Sequence, residues 1–269
     1  MKLGLELGAP TRDIASELGI RGVPVDGSEL RNNSVKATLA MLAEKNLVPC
    51  QVGAFGFNAL NVSEAERANL EATLPLAVEA GCPYVVINPA SYHKNVFTMV
   101  DRRSWTEDAL DEMARALDGP LKVAERCGAK ISIEAINKAC IHSPERFLKL
   151  KSKVGSDALR CNIDPTSLYG YWELIESKEF ITQMCASLAG HYGIVHIKET
   201  TLKDGYHIHS EMVPVGEGNT DWAHFLTQIA PHVPADSWVM IEHCATPDEA
   251  RNSVRLIREA AQSVGVALE

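Results

Sequence analysis

Four residues have the types and the spacing to hold a divalent metal ion: Glu134, Asp164, His196 and Glu242. Each falls at or near the end of a short strand-like run, in KISIEA, LRCNID, GIVHIK and SWVMIE. They stand 30, 32 and 46 residues apart, and one strand–helix unit takes about 30 residues. Three carboxylates and one imidazole suit a hard or borderline ion such as Mn²⁺, Mg²⁺, Co²⁺ or Zn²⁺. Such an ion polarises a carbonyl and stabilises a neighbouring enolate oxygen. Carboxylates on either side of a bound sugar can then move a proton. A single carboxylate at a strand end is usually a solvated group or a helix cap, and a lone histidine is usually structural. Four of them on consecutive units are harder to dismiss, because a carboxylate ending an apolar strand needs compensation.

The elements that must position these residues can be read along the chain. Strand-like runs are predicted at 3–7, 22–26, 48–53, 84–88, 130–135, 159–164, 193–198 and 237–242. Several are continuously apolar, as parallel strands covered on both faces should be. Amphipathic helices are predicted between them, among others at 63–81, 105–128, 221–230 and 247–264. Ser63 with Glu66 has the form of a capping box. Gly128 and Gly155 stand where a helix must stop. Gly119-Pro120 predicts an interruption of the 105–128 helix, since proline lacks the amide hydrogen that the ladder uses. Alternating strands and helices without a GxGxxG after the first strand, and without a GxxxxGK[ST], favour a closed barrel over an open nucleotide-binding sheet. The expectation is an α/β chain folded as a single (β/α)8 TIM barrel over residues 1–269, a length near the ~250 residues such a barrel needs. The longest irregular connection is predicted at 199–218, after the seventh strand, where a long loop is usually functional.

Composition narrows the partners. The net charge is −9, and Lys and Arg form no cluster beyond pairs such as Arg102-Arg103, so nucleic acid is not the expected partner. Seven cysteines, an odd number with no CxxC pair, fit free thiols in a reducing cytoplasm better than a disulfide framework. The opening apolar run is too short for a signal peptide, and no apolar stretch of ~18 residues predicts a membrane span.

The segments ISIEAIN, CNIDPTSLY, VHIKET, VPVGEGNTDW and MIEH, in this order and spacing, resemble the sugar-phosphate isomerase/epimerase group of xylose-isomerase-like TIM barrels. The likeness is good over about residues 130–245, with GEGNTDW its most specific piece; the first half matches in strand–helix rhythm. The resemblance implies one divalent metal on Glu134, Asp164, His196 and Glu242, with Glu134 and Glu242 also acting as the acid/base pair. It implies an isomerase or epimerase of a small sugar, keto acid or sugar phosphate, working through a metal-stabilised enediolate, and assembly as a dimer or tetramer. The same site would serve a dehydratase of the inosose type. A non-catalytic binding barrel and an apurinic endonuclease are the remaining readings. Many relatives carry His three residues after the strand-six Asp, where this chain has Ser167, which leaves the metal set intact and puts the particular reaction in question. Ser167, the lack of histidines ending strands two and three, and the acidic charge weigh against the nuclease.

A second tier of residues is expected at the mouth as substrate contacts. Lys198 falls on the same side as His196 by strand alternation, where it meets a substrate oxygen or pairs with a nearby carboxylate. His207 and His209 lie in the 199–218 connection and are read either as mouth residues or as a solvated pair. Asn137 and Lys138 follow Glu134 and could bond a hydroxyl-rich ligand. Glu6 and Asn88 end strands one and four, Glu6 equally readable as a structural carboxylate. Trp222 is expected to pack a helix onto the barrel, and Asp221 to begin that helix.

Overall fold

In the computed structural model, residues 1–6, 8, 11–93, 95, 97, 99–207 and 209–269 are described. The elements run β1 (Lys2–Leu5), α1 (Thr11–Glu17), β2 (Gly22–Asp26), α2 (Gly27–Asn33), α3 (Val35–Ala43), β3 (Val48–Gly53), α4 (Glu64–Glu79) and β4 (Tyr84–Ile87). They continue with α5 (Glu107–Cys127), β5 (Lys130–Glu134), α6 (Pro144–Val154), β6 (Leu159–Ile163), α7 (Pro165–Leu168), α8 (Tyr171–Ile175), α9 (Ser177–Ser187) and β7 (Tyr192–Ile197). The last are β8 (Glu199–Lys203), β9 (His209–Val213), α10 (Trp222–Ile229), β10 (Trp238–Ile241) and α11 (Pro247–Ser263). Strands β1 to β7 and β10 form a closed parallel barrel in which β10 pairs with both β7 and β1. The predicted TIM barrel is therefore present, each predicted strand within two residues of an observed one. Leu7, in the predicted first strand, lies outside the described residues.

The apolar runs form strands because both faces are covered. Residues such as Val85, Ile87, Ile131, Ile133, Val195, Ile197, Val239 and Ile241 are fully buried and join the core shared with the helices. Alternate residues point into the barrel and stack in layers. Tyr84, Val86, Ile194 and Trp238 pack together near the strand starts. Two residues further on come Ser132, Asn162, His196 and Met240, with Met240 paired in register to His196. Two residues beyond those come Glu134, Asp164, Lys198 and Glu242, all buried. A period of two thus lifts the interior from apolar to polar to charged, ending at the C-terminal mouth.

Helix starts and stops follow local chemistry. Ser63 and Glu66 form the capping box, and Gly128 and Gly155 take left-handed conformations, φ 81° and 62°, at the ends of α5 and α6. Two predicted features are corrected. Helix α5 runs unbroken through Gly119-Pro120. Its apolar stripe, Ala109, Leu110, Met113, Ala116, Leu117, Pro120, Leu121 and Ala124, is buried along its whole length and includes the proline itself. Burial of that stripe outweighs the ~3 kcal/mol that an interior proline costs. The connection 199–218 is not irregular: β8 and β9 pair as an antiparallel hairpin, Glu199 opposite Val213 and Lys203 opposite His209. Its outer strand is polar and exposed, so it lacks the apolar run by which the barrel strands are recognised.

Gly22 marks the tightest fit near the barrel floor. A Cβ there would lie 2.6 Å from two ring carbons of Trp238 and 2.9 Å from Cys50 Cβ. Gly22→Ala is expected to cost about 1–3 kcal/mol through overpacking, read from urea unfolding midpoints, and a second change, Trp238→Leu, should recover part of that loss.

Candidate metal centre

The four sequence-predicted ligands meet at the mouth of the barrel. One donor atom from each of Glu134, Asp164, His196 and Glu242 lies within 4.8 Å of the others, and all four residues are buried. Their elements explain the convergence. Glu134 is the last residue of β5, and His196 lies one residue before the end of β7. Asp164 follows β6 immediately and caps α7, and Glu242 follows β10.

Each ligand is oriented by neighbours. Asp164 Oδ1 accepts from Thr166 Oγ1 at 2.7 Å and from the Ser167 amide at 3.2 Å, which turns Oδ2 inward. Ser167 thus serves the site through its backbone amide, a contact that any residue but proline can make there. His196 Nε2 lies 2.9 Å from Gln51 Oε1. An amide oxygen accepts a proton, so this contact assigns the hydrogen to Nε2 and leaves Nδ1 facing Glu242 at 3.3 Å and Glu134 at 3.7 Å. Gln51 was not singled out in the sequence. Its one signal is a polar residue inside the apolar run VPCQVG.

Lys198 completes the cluster. Its ammonium is 2.8 Å from Glu134 Oε1, 2.8 Å from Asp164 Oδ2 and 2.7 Å from Glu242 Oε1. Burial pushes the Glu134 carboxyl up, but Lys198 and His196 prevail over burial and over the Glu242 charge, holding it down at about 2. Burial likewise opposes ionisation of Glu242, and His196 and Lys198 override it, so this carboxyl also lies below its ordinary range. Burial would lower His196, yet Glu242 and Glu134 hold the imidazole up at about 10. Lys198 stays well above the ordinary lysine value: burial works against its charge, and Asp164, Glu134 and Glu242 favour it more strongly.

The set fits a divalent ion. His196 Nδ1 is a buried polar atom without a hydrogen bond, Asp164 Oδ2 is met by the Lys198 ammonium alone, and both face the point on which Glu134 and Glu242 converge. A buried ring nitrogen in the condition of His196 Nδ1 is rare and needs a partner. Three carboxylates with an imidazole, which a bound ion would hold neutral in place of its proton, supply the oxygen-rich donors that Mg²⁺ or Mn²⁺ takes, and that Zn²⁺ and Co²⁺ tolerate.

Above the cluster opens a cavity of about 770 Å³. Glu6, Asn137, Lys138, Lys198, Ser167 and His243 line it. Phe55 and Phe97, with ring centroids 6.3 Å apart, form an apolar wall. Glu6 also accepts from the Gly8 amide at 2.8 Å, which fixes it at the rim. Asn137 donates its side-chain amide to the Tyr169 carbonyl. Three other expected mouth residues lie elsewhere. Asn88 is buried, donating to the Phe55 and Phe57 carbonyls and accepting from Ala90, so it ties loops together rather than facing a ligand. His207 and His209 are exposed on the β8–β9 hairpin and do not line the cavity, whereas Ser210, Glu211 and Met212 of the same hairpin do. His243 was not foreseen. Its Nε2 is 3.6 Å from Glu242 Oε1, and its backbone takes φ 61°, a conformation uncommon outside glycine and concentrated at functional sites.

The GEGNTDW segment has a structural explanation. Glu199, at the start of β8, is buried and accepts from Trp222 Nε1 at 2.7 Å and from the Thr220 amide at 3.3 Å. Gly218 passes so close to Glu199 and the Thr200 carbonyl that a Cβ would collide with both. Trp222 packs in the core and Asp221 caps α10, as expected. Glu217 is exposed.

With fold and site defined, the chain can be placed. Residues 12–260 match the family model of the xylose isomerase-like TIM barrel, and the chain belongs to that family. No curated protein sequence matches it significantly. Among solved structures it is similar to a xylose isomerase domain protein from Planctomyces limnophilus, with TM-score 0.75, 14% identity, and 98% of each chain covered. It is similar to a xylose isomerase-like TIM barrel protein from Mycobacterium smegmatis in complex with magnesium, with TM-score 0.72, 15% identity, and 94% and 87% covered. It is also similar to D-psicose 3-epimerase with D-tagatose from Clostridium cellulolyticum H10, with TM-score 0.71, 13% identity, and 97% and 99% covered. At these identities the likeness establishes the fold. Among the described residues, no helix is long and apolar enough to cross a membrane.

The lowered carboxyls make acid stability a readout of the cluster. A carboxyl whose folded pKa lies below its ordinary 4.5 stabilises the fold above that pH, and the stabilisation is lost as pH falls toward about 2, the value for Glu134. Chelator-treated protein is therefore expected to lose stability below pH 4.5. The double variant Glu134→Gln/Glu242→Gln should show a shallower dependence across the same window, measured by urea midpoints at a series of pH values.

Proposed function

We propose that the chain is a divalent-metal-dependent isomerase or epimerase of a small sugar or related keto compound. The observation that carries this reading is the approach of two ionised carboxylates, Glu134 and Glu242, to one point from strands separated by β6 and β7. Glu134, Asp164, His196 and Glu242 would hold the ion, manganese being the first to test, with magnesium, cobalt and zinc as alternatives. When bound, the ion polarises a carbonyl and offsets the charge that develops on its oxygen.

The remaining chemistry belongs to the chain. Glu134 and Glu242 are bases at neutral pH. One takes the proton from the carbon beside the substrate carbonyl, and the other returns a proton on the opposite face for epimerisation or to the neighbouring carbon for isomerisation. Asp164 and His196 hold the ligand geometry through Thr166, Ser167 and Gln51. Asn137, Lys138 and Glu6 offer hydrogen bonds to hydroxyls, and the Phe55–Phe97 wall suits the apolar face of a sugar ring. Beyond the four ligands, the charged lining residues are Glu6, Asp26, Glu199 and Glu211 against Lys138 and Lys198. That balance favours an uncharged sugar over a sugar phosphate. The psicose epimerase, with its bound tagatose, supports the substrate class by its shared fold.

A lyase reading has one observation of its own. His243, half-exposed to the cavity and 3.6 Å from Glu242, is placed to protonate a departing β-hydroxyl after the same proton abstraction. The wider reading takes residues 1–269 as one domain. It places the chain in a reducing cytoplasm, supported by seven free cysteines of which six are buried. It also pairs copies through exposed apolar residues such as Trp172 and Ile175 of α8.

A screen of ketoses, hydroxypyruvate, pentulose phosphates and inososes with Mn²⁺ in deuterated water tests the proposal. An isomerase or epimerase places deuterium on the carbon from which the proton was taken or its neighbour. A lyase releases water and yields a dehydrated product. Glu134→Gln and Glu242→Gln should each lower turnover by about a hundredfold or more; full turnover in both variants would contradict the mechanism.

A further inference from the structure

The Lys198 ammonium stands inside the ligand cage, not beside it. It contacts Glu134 Oε1, Asp164 Oδ2 and Glu242 Oε1 at 2.7–2.8 Å. Glu134 Oε1 and Glu242 Oε1 are also the oxygens that face His196 Nδ1. The donor atoms of all four ligands span no more than 4.8 Å. Carboxylate oxygens bind Mg²⁺ or Zn²⁺ at about 2.0–2.2 Å, so a dication bound by this set would lie among the very oxygens that now enclose the ammonium. Two cations in one buried cage repel each other strongly at such separations.

We propose that Lys198 and the divalent ion are alternative occupants of the same carboxylate cage. This rests on the metal reading above. The ion enters by displacing the ammonium, and the freed side chain turns outward into the cavity that Lys198 already lines. Three features of the chain suit this exchange. Lys198 sits one residue beyond β7, where its backbone is fixed and its four-carbon stem is free to swing. The cavity above has ample room, about 770 Å³. Positive charge offsets the carboxylates in both arrangements, partly without the ion and fully with it. Without the ion, the ammonium relieves the repulsion of three buried carboxylates. With the ion in the cage and the ammonium just above, three negative charges meet three positive ones. The outward-turned ammonium then stands over the cage, where a substrate oxygen would lie. In this arrangement the lysine competes with the metal and sets its affinity, and metal loading creates the substrate contact.

Chelator-treated wild-type protein and the Lys198→Met variant are titrated with Mn²⁺ by calorimetry, and their melting temperatures are compared with and without Mn²⁺. The variant should bind Mn²⁺ roughly tenfold or more tightly than wild type, because no buried ion pair must be broken. It should also melt below wild type without metal and gain more from Mn²⁺. Wild-type protein treated with an amine-acylating reagent, read by peptide mass spectrometry, supplies a measurement independent of the variant's folding. Lys198 should be protected without metal and modified with it. Equal or weaker Mn²⁺ binding by the variant would overturn the exchange while leaving the metal site standing, as would Lys198 labelling that Mn²⁺ does not change. Absence of Mn²⁺ binding by both proteins would remove the metal reading and the exchange together.

Discussion

The structure depends on the burial of three carboxylates at the mouth of the barrel. Glu134, Asp164 and Glu242 are each under a tenth exposed, and isolated charges in such a place cost several kcal/mol apiece. Glu134 and Glu242 remain ionised because positive charge is fixed among the three. Lys198 and His196 supply it within the chain, and a dication would supply it more strongly. The polar layer below exists to orient this set: Gln51 fixes the imidazole, and Thr166 with the Ser167 amide fixes Asp164. The apolar floor below that, locked by Trp238 against Gly22, keeps the strands in register.

The rest of the fold serves the same constraint from outside. Glu199 anchors the GEGNTDW segment through Trp222 and Thr220, and so ties the β8–β9 hairpin to the body. The hairpin's outer strand contributes Ser210, Glu211 and Met212 to one wall of the cavity. Phe55 and Phe97 contribute another. The charged cluster therefore sits at the bottom of a pocket, with access from one side.

Much of this was legible because parallel barrel strands announce themselves. Both faces of β4, β5, β7 and β10 are covered, which makes their sequences predominantly apolar and makes a terminal carboxylate or histidine conspicuous. The four ligands were read on that basis. Other features depend on contacts that no local pattern records. Gln51 meets His196 across 145 positions of sequence, and its one local signal, a polar residue in an apolar run, does not point to that partner. His243 follows a ligand, but its importance comes from a left-handed backbone visible only in the fold. Asn88 ends a strand as a substrate contact might, yet its side chain is consumed by the loop after β3. His207 and His209 share a connection with true lining residues, but they stand at the exposed turn end of the hairpin and lie outside the cavity. Pro120 reads as a breaker until the buried stripe on which it lies is seen to continue on both sides.

The central claim is that these four side chains form a metal site. Anomalous X-ray diffraction from crystals grown with Mn²⁺ tests it most directly. The account predicts one manganese peak within coordination distance of Glu134, Asp164, His196 Nδ1 and Glu242, lost in Asp164→Ala crystals. No peak at that position in fully Mn²⁺-exposed crystals, or a peak coordinated by other residues, would contradict it.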